Sequence, residues 1–379
     1  PNGKIVPRDP SEPRESRLGK GRIIHGGPKR EIHLPSEAAR IARDGDIVEI
    51  DAGAYQGDVA TWRQNGLTLR GVGGRAHIVG VAGKAAGDKA GGRMHGYEVL
   101  VENVEFSGAS VHDRNGAGIK LEGTKLTVVG CYFHDNEDGM LIGNIADAEV
   151  TVERSEFARN GYGDGQSHNM YIGRIRRFTL KYSYSHEAHI GHDVKSRAQE
   201  SYILYNRLAD EDNGDESYVI DLPQGGTAYV IGNIIQQGKN ADNVVAVSFA
   251  SESPKFPSKG FYVVNNTFIN ERAGGIFVRN RDPASTATLI NNLVVGTDKL
   301  LEGPGTVEHS LEVKSGFRAP ARRDYHLVAG SPAIGAGIHP PTVNGVDLMP
   351  KEEYVHPLSF AARKQGRSID LGAYAFAAH

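Results

Sequence analysis

The chain has 379 residues, 39% of them hydrophobic, and a single cysteine, Cys131, which excludes a disulfide scaffold and a cysteine-built zinc site. No apolar run approaches the length of a membrane-spanning helix. Lys and Arg total 43 against 46 Asp and Glu, a formal charge of -3, so the basic excess of a general nucleic-acid binder is absent.

In chain order, the sequence begins at Pro1 rather than Met, as expected after removal of a signal peptide or after other processing. Residues 1–30 are polar and rich in Pro and Arg and read as a surface extension. Ser36 to Arg43 has the pattern of a short capped helix stopped by Asp44-Gly45, and a strand from Ile47 to Ile50 follows. A solenoid needs its first coil covered, and this helix is the candidate cap.

From there a repeat dominates. Small or amide residues recur at Cys131, Ser155, Ser183, Asn206, Asn233, Asn266 and Asn292, at intervals of 24, 28, 23, 27, 33 and 26 residues. An apolar or aromatic residue usually follows two positions later, within short alternating stretches broken by Gly, Asn and Asp. One coil of that length cannot bury its own apolar face, but stacked coils share a core. The 48 glycines fit many recurring turns. The column Asn206, Asn233, Asn266, Asn292 is expected to form an inward amide ladder, with Cys131 a buried, unreactive member of it. The repeat bounds an all-β solenoid at residues 31–300, with residues 301–379 a loop-rich closing segment of the same domain.

The chemistry concentrates in the middle coils. Asp138 to Gly143, His168 to Gly173, His192 to Arg197 and Glu216 to Asp221 are taken as successive strands of one face. Met140, Met170 and Val194 then point inward. Leu141, Tyr171, Lys195 and Val219 form one outward column, and Gly143, Gly173, Arg197 and Asp221 the next. With strands about 4.8 Å apart, Tyr171, Lys195, Arg197 and Asp221 gather on one surface. Tyr171, Lys195, Arg197 and His192 are the candidate catalytic residues. His168, Asn169, His189 and Asp221 are the candidate substrate-binding residues. No metal site is expected at His186, His189 and His192, whose neighbours Lys195 and Arg197 oppose a dication. Asp210-x-Asp212-x-Gly214 has the start of a Ca²⁺ loop without the remaining ligands, so Ca²⁺ is an optional ion and no cofactor is required.

The entry segment Arg43-Asp44-Gly45-Asp46-Ile47-Val48-Glu49-Ile50 with Gly53-Ala54-Tyr55-Gln56-Gly57, and the endings Gly330-Ser331-Pro332-Ala333-Ile334-Gly335 and Asp370-Leu371-Gly372-Ala373-Tyr374, resemble the bacterial right-handed parallel β-helix superfamily of pectate lyases, alginate lyases and mannuronan epimerases. The resemblance covers nearly the whole chain. It implies a right-handed parallel β-helix, a groove along the helix and an acidic polysaccharide as partner, with no nucleic acid and no membrane. It also implies a secreted or periplasmic monomer. The activity expected is β-elimination on a uronate-containing polysaccharide. Arg197 and Asn169 are then the carboxylate-neutralising groups, Lys195 or His192 the base and Tyr171 the acid. The alternatives are a C5-epimerase, a glycoside hydrolase using Asp193 and Asp221, and a non-catalytic carbohydrate-binding solenoid presenting Trp62, Tyr182, Tyr184 and Tyr218.

Overall fold

The computed structural model describes residues 16–81, 90–296, 298–364, 366 and 368–376. Short strands stack in parallel through about ten coils, and each full coil has three faces. The first face is a 10-stranded sheet running coil by coil from Ala60–Trp62 to Lys299–Glu302. The second and third faces belong to one 21-stranded sheet, because the long strands Ile47–Gln56 and Thr68–Val79 run round the corner between them. This is the parallel β-helix that the repeat predicted.

The corner between the second and third faces explains the repeat. Asn103, Gly130, Arg154, Tyr182, Tyr205, Gly232, Asn265 and Asn291 each adopt φ between 47° and 68°. One left-handed residue turns the chain sharply there, and asparagine and glycine reach that region at least cost. The residue after it points inward and forms the ladder. Asn206, Asn233 and Asn266 each donate Nδ2–H to the Oδ1 of the next coil's asparagine at 3.0, 2.9 and 3.1 Å. The same Oδ1 atoms accept the backbone N–H of the coil before. Ser155 and Ser183 continue the column with hydroxyl acceptors. Cys131 is fully buried in it, and burial pushes its thiol pKa up to about 12, so it is no nucleophile.

Inward side chains of the third face stack as well. Phe106, Phe133 and Phe157 lie with ring centroids 5.1 and 4.7 Å apart and nearly parallel planes. Burying each contributes about 1.5–3 kcal/mol. The column breaks at the next coil, where Ser185 stands in register with Phe157. That is the coil of the candidate site.

The cap is Pro35–Ile41. The Glu37 carboxylate accepts the N–H groups of His33 and Leu34 at 2.7 and 3.2 Å, satisfying the helix start. Ala38 packs into the core cluster that holds Trp62. Part of the expected surface extension, residues 1–15, lies outside the described residues. Its remainder already joins the sheet, since Ile23–Gly26 pairs in parallel with Ile47–Gln56. After Leu311–Glu312 the chain makes three small antiparallel pairs and runs back along the outside. Phe360 stacks on Tyr182, and the Tyr205 hydroxyl accepts the Lys351 N–H. Among the described residues no helix is long and apolar enough to cross a membrane.

Asn233→Leu tests the ladder. It leaves the Asn206 N–H and the Ile203 carbonyl without the partners they have now. Urea unfolding is expected to show a loss of about 1–3 kcal/mol, and unchanged stability would contradict an inward Asn233.

Candidate functional site

The first face fixes one outward column by register. Leu141 lies beside Tyr171, Tyr171 beside Lys195, Lys195 beside Asp221, Asp221 beside Ser248 and Ser248 beside Arg279. A second row runs beside it, in which the His168 ring stacks on His192 at 4.5 Å and His192 packs on Tyr218 at 5.1 Å. His168 also stacks on Tyr171 at 5.7 Å, joining the two rows. Close approach of the two coils depends on Gly191, where a Cβ would lie 2.3 Å from the Ser167 carbonyl oxygen.

Backbone hydrogen bonds fix both imidazoles. His168 Nδ1 accepts the His192 N–H at 3.1 Å, and His192 Nδ1 accepts the Tyr218 N–H at 3.2 Å. Each ring therefore carries its proton on Nε2. His192 Nε2 faces Asp221 Oδ2 at 3.5 Å. Burial, reinforced by Lys195, holds the His192 pKa down to about 3, so the ring is neutral.

Lys195 carries the shielded amine of the group. Its Nζ sits 3.7 Å from Asp221 Oδ2, with its side chain 13% exposed. Burial lowers its pKa, Asp221 opposes that, and Arg197 lowers it further. Burial raises the Asp221 pKa to about 6 against the pull of Lys195. Arg197 lies beyond the strand end, with its guanidinium 5.2 Å from the Tyr171 ring centre. Its Nη2 donates to Glu252 Oε1 at 2.6 Å, and Gln224 also holds Glu252, at 3.1 Å. Beyond Asp221 the face opens into a cleft of about 490 Å³ lined by Tyr218, Ser248, Glu252, Arg279 and Arg281.

Tyr171, Lys195, Arg197, His192, His168 and Asp221 are thus brought together. Asn169 is not among them. It is fully buried and turned inward, where its Nδ2 donates to Asp193 Oδ1 at 2.8 Å and its Oδ1 accepts from Asn160. Asn136, Asn160, Asn169 and Asp193 form a second ladder, at the corner between the third and first faces. His189 stands on the turn, half exposed, with Nδ1 on the Asp215 carboxylate at 2.9 Å. The expected pairing of the fourth strand is two residues off. His192 pairs with Tyr218, so Val219 is buried rather than outward, and Asp221 neighbours Lys195 rather than Arg197. Ser248, Arg279 and Glu252 were missed, and Tyr218, expected only as an aromatic platform, belongs to the second row. Continuing the register one coil further finds Ser248 and Arg279. Glu252 lies in an irregular loop after Val245–Phe249, where no repeat pattern points to it.

Three other expectations meet the structure here. The Asp210, Asp212 and Asp215 carboxylates diverge, to the Glu216 N–H, Arg323 and His189 respectively, and do not converge on a Ca²⁺ position. Asp193 faces inward, so it cannot flank a glycosidic bond together with Asp221. Trp62 is core rather than an exposed platform, and Tyr182 lies beneath Phe360.

The site coil is acidic inside. Burial pushes the Asp193 and Glu216 carboxyls well above the ordinary range, and the neighbouring Asp193 raises Glu216 further. Both Glu216 oxygens are buried without a hydrogen-bond partner among the described residues. Burial also raises Asp210, to about 7.

No family model matches the sequence, nor does any curated protein. Among solved structures the chain is similar to the pectate lyase Pel9A, with a TM-score of 0.60 and 15% identity over 95% of this chain and 98% of that one. A weaker likeness, to Geobacillus virus E2 ORF18, has a TM-score of 0.42 and 14% identity over 72% of this chain and 55% of that one. The likeness shows the fold, a parallel β-helix. Within that class its architecture is pectate lyase-like, a likeness of fold.

Asp193→Asn tests the buried acid. A carboxyl whose folded pKa is raised stabilises the fold fully below its unfolded pKa, and that contribution is lost as pH rises through the folded value. Between about pH 5 and about pH 8 the wild type should therefore lose Tm relative to Asp193→Asn. A difference that stays constant across that range would contradict a protonated Asp193.

Proposed function

We propose that the chain is a polysaccharide lyase that cleaves an acidic, uronate-containing polysaccharide by β-elimination, acting as a monomer outside the cytoplasm. The observation that carries this reading is Lys195, a largely shielded lysine with lowered pKa on the outer face, between Tyr171 and Asp221 and close to Arg197. β-Elimination removes the C5 proton of a uronate, forms a C4–C5 double bond and expels O4. Arg197 pairs with the uronate carboxylate in competition with Glu252 and acidifies the C5 proton. Lys195, in its deprotonated form, takes that proton. The Tyr171 hydroxyl protonates the departing O4.

His192 suits the base role less well. Its Nδ1 lone pair is committed to the Tyr218 N–H, its Nε2 already bears the proton, and burial holds its pKa down to about 3, which makes it a weak base. His192 and His168 instead hold Tyr171 and Asp221 in place. The arginines of the adjoining cleft, Arg279 and Arg281, both pair with Glu302, at 2.7 and 3.6 Å, and would exchange that partner for the carboxylates of an anionic chain lying along the helix axis. C5-epimerisation shares the first proton transfer, and the product separates the two reactions.

The deciding experiment is incubation with a panel of uronate polymers while the absorbance of the unsaturated product is followed. Lys195→Ala should lose about 10²–10⁴-fold in kcat, and Arg197→Lys and Tyr171→Phe should lose activity with the fold intact by circular dichroism. An inactive His192→Ala beside a fully active Lys195→Ala would overturn the assignment of the base. The pH profile adds a signed test. Activity should rise with pH as Lys195 loses its proton, and the Asp221 charge raises the Lys195 pKa. Asp221→Asn should therefore move that rising limb to lower pH. A limb that stays put or moves up would contradict Lys195 as the base.

A further inference from the structure

The third face carries a second cluster, away from the first-face site and independent of the lyase reading. His77, Glu105 and His134 come from the strands Thr68–Val79, Val104–Ser107 and Tyr132–His134, which are consecutive rungs of that face. All three point outward and are partly shielded, with side chains 26, 21 and 16% exposed. Glu105 Oε1 lies 3.3 Å from His77 Nδ1 and 3.0 Å from His134 Nε2, and one ligand atom from each residue falls within 4.8 Å of the others. Two bonds of about 2.0 Å at a tetrahedral angle separate their ligand atoms by about 3.3 Å. The spacing therefore matches an edge of a tetrahedral site before any side chain moves.

The outer nitrogens supply the second observation. His134 Nδ1 is held by the Asp135 carboxylate at 2.6 Å, and His77 Nε2 by the Ser107 hydroxyl at 2.7 Å. A carboxylate on the far nitrogen orients the ring with Nε2 facing Glu105, as in metal-binding histidines, and a bound ion would take the place of the proton that joins Nε2 to Glu105 Oε1 at 3.0 Å. The Tyr132 ring stacks on His134 at 4.3 Å and fixes its plane. Two cations lie nearby. Arg159 is paired with Asp135, and Arg75 rests on the Tyr132 ring. Both weaken the attraction for a dication without blocking it. The one thiol, Cys131, is buried in the core and cannot compete for an added ion.

We propose that His77, Glu105 and His134 bind one divalent transition-metal ion of the zinc class, with a fourth position left to solvent. Two imidazoles and one carboxylate suit Zn²⁺ and its borderline neighbours rather than Ca²⁺, which prefers six or more oxygen ligands. The ion would clip three successive coils together.

The test is titration of tag-free protein with Zn²⁺ by calorimetry, alongside Co²⁺ absorption spectra. One Zn²⁺ per chain is expected, with tetrahedral Co²⁺ bands in the visible and a rise in Tm. Glu105→Gln, which keeps the size of the side chain, and His134→Ala should each weaken Zn²⁺ binding by at least about 10-fold and abolish the Co²⁺ bands. Asp135→Asn should weaken binding by about 10-fold. His189→Asn, a histidine outside the cluster, should leave binding unchanged. Circular dichroism checks that each variant is folded, and the wild-type Co²⁺ spectrum needs no variant. Absence of Co²⁺ bands in the wild type, or Zn²⁺ binding that survives in folded Glu105→Gln and His134→Ala, would overturn the proposal.

Discussion

In-register parallel stacking of the coils is the constraint on which the rest of this molecule depends. Once one coil sits on the next without slippage, every outward position has a neighbour about 4.8 Å away on each side. Chemistry then assembles by column rather than by loop. The register is pinned at the corners. A single left-handed residue turns the chain, and the inward residue after it hydrogen-bonds to its equivalents above and below. A slip of one residue would turn the amides outward and the strand faces inside out. The ladder and the apolar columns therefore fail together or hold together.

The candidate site occupies the coils where this scheme is compromised. The phenylalanine column stops at Ser185, whose hydroxyl accepts from Asn169 and donates to the Asp193 carbonyl. Asp193 and Glu216 are buried against one another, and Ser196 bonds Ser201 where other coils place apolar side chains. Burying such groups costs stability unless every partner is present, so a polar interior of this kind specifies one geometry at the expense of net stabilisation. Here the interior lies directly beneath the strands that hold Tyr171, Lys195 and Asp221. Breaks in an otherwise consistent pattern are expected where a surface must be held for chemistry.

Much of this was legible in the sequence, for reasons that individual residues make plain. The asparagine column shows because the corner demands one small or amide residue per coil. The cap shows because Ser36 to Arg43 carries a short helical pattern that Asp44-Gly45 stops. The Tyr171–Lys195 pairing shows because Met170 and Val194 mark the inward side of both strands. Asp221 came out on the right face beside the wrong neighbour. The acidic turn before Tyr218 lengthens that coil, and no apolar landmark fixes where its strand begins. Asn169 was misread because an amide next to a histidine looks the same whether it faces ligand or ladder. The second ladder was missed because Asn136, Asn160 and Asn169 are unevenly spaced and end in an aspartate. Glu252 had no signal at all, since it reaches Arg197 from 55 residues away across an irregular loop.

The most direct test of the account is a crystal structure of the Lys195→Ala variant with a bound uronate oligosaccharide. The account predicts a sugar chain lying along the helix axis on the first face. One carboxylate should be held by Arg197 with Glu252 displaced, the C5 hydrogen of that sugar should point at position 195, and its O4 should lie within reach of the Tyr171 hydroxyl. An oligosaccharide bound on another face, or one whose carboxylates avoid Arg197, would contradict it.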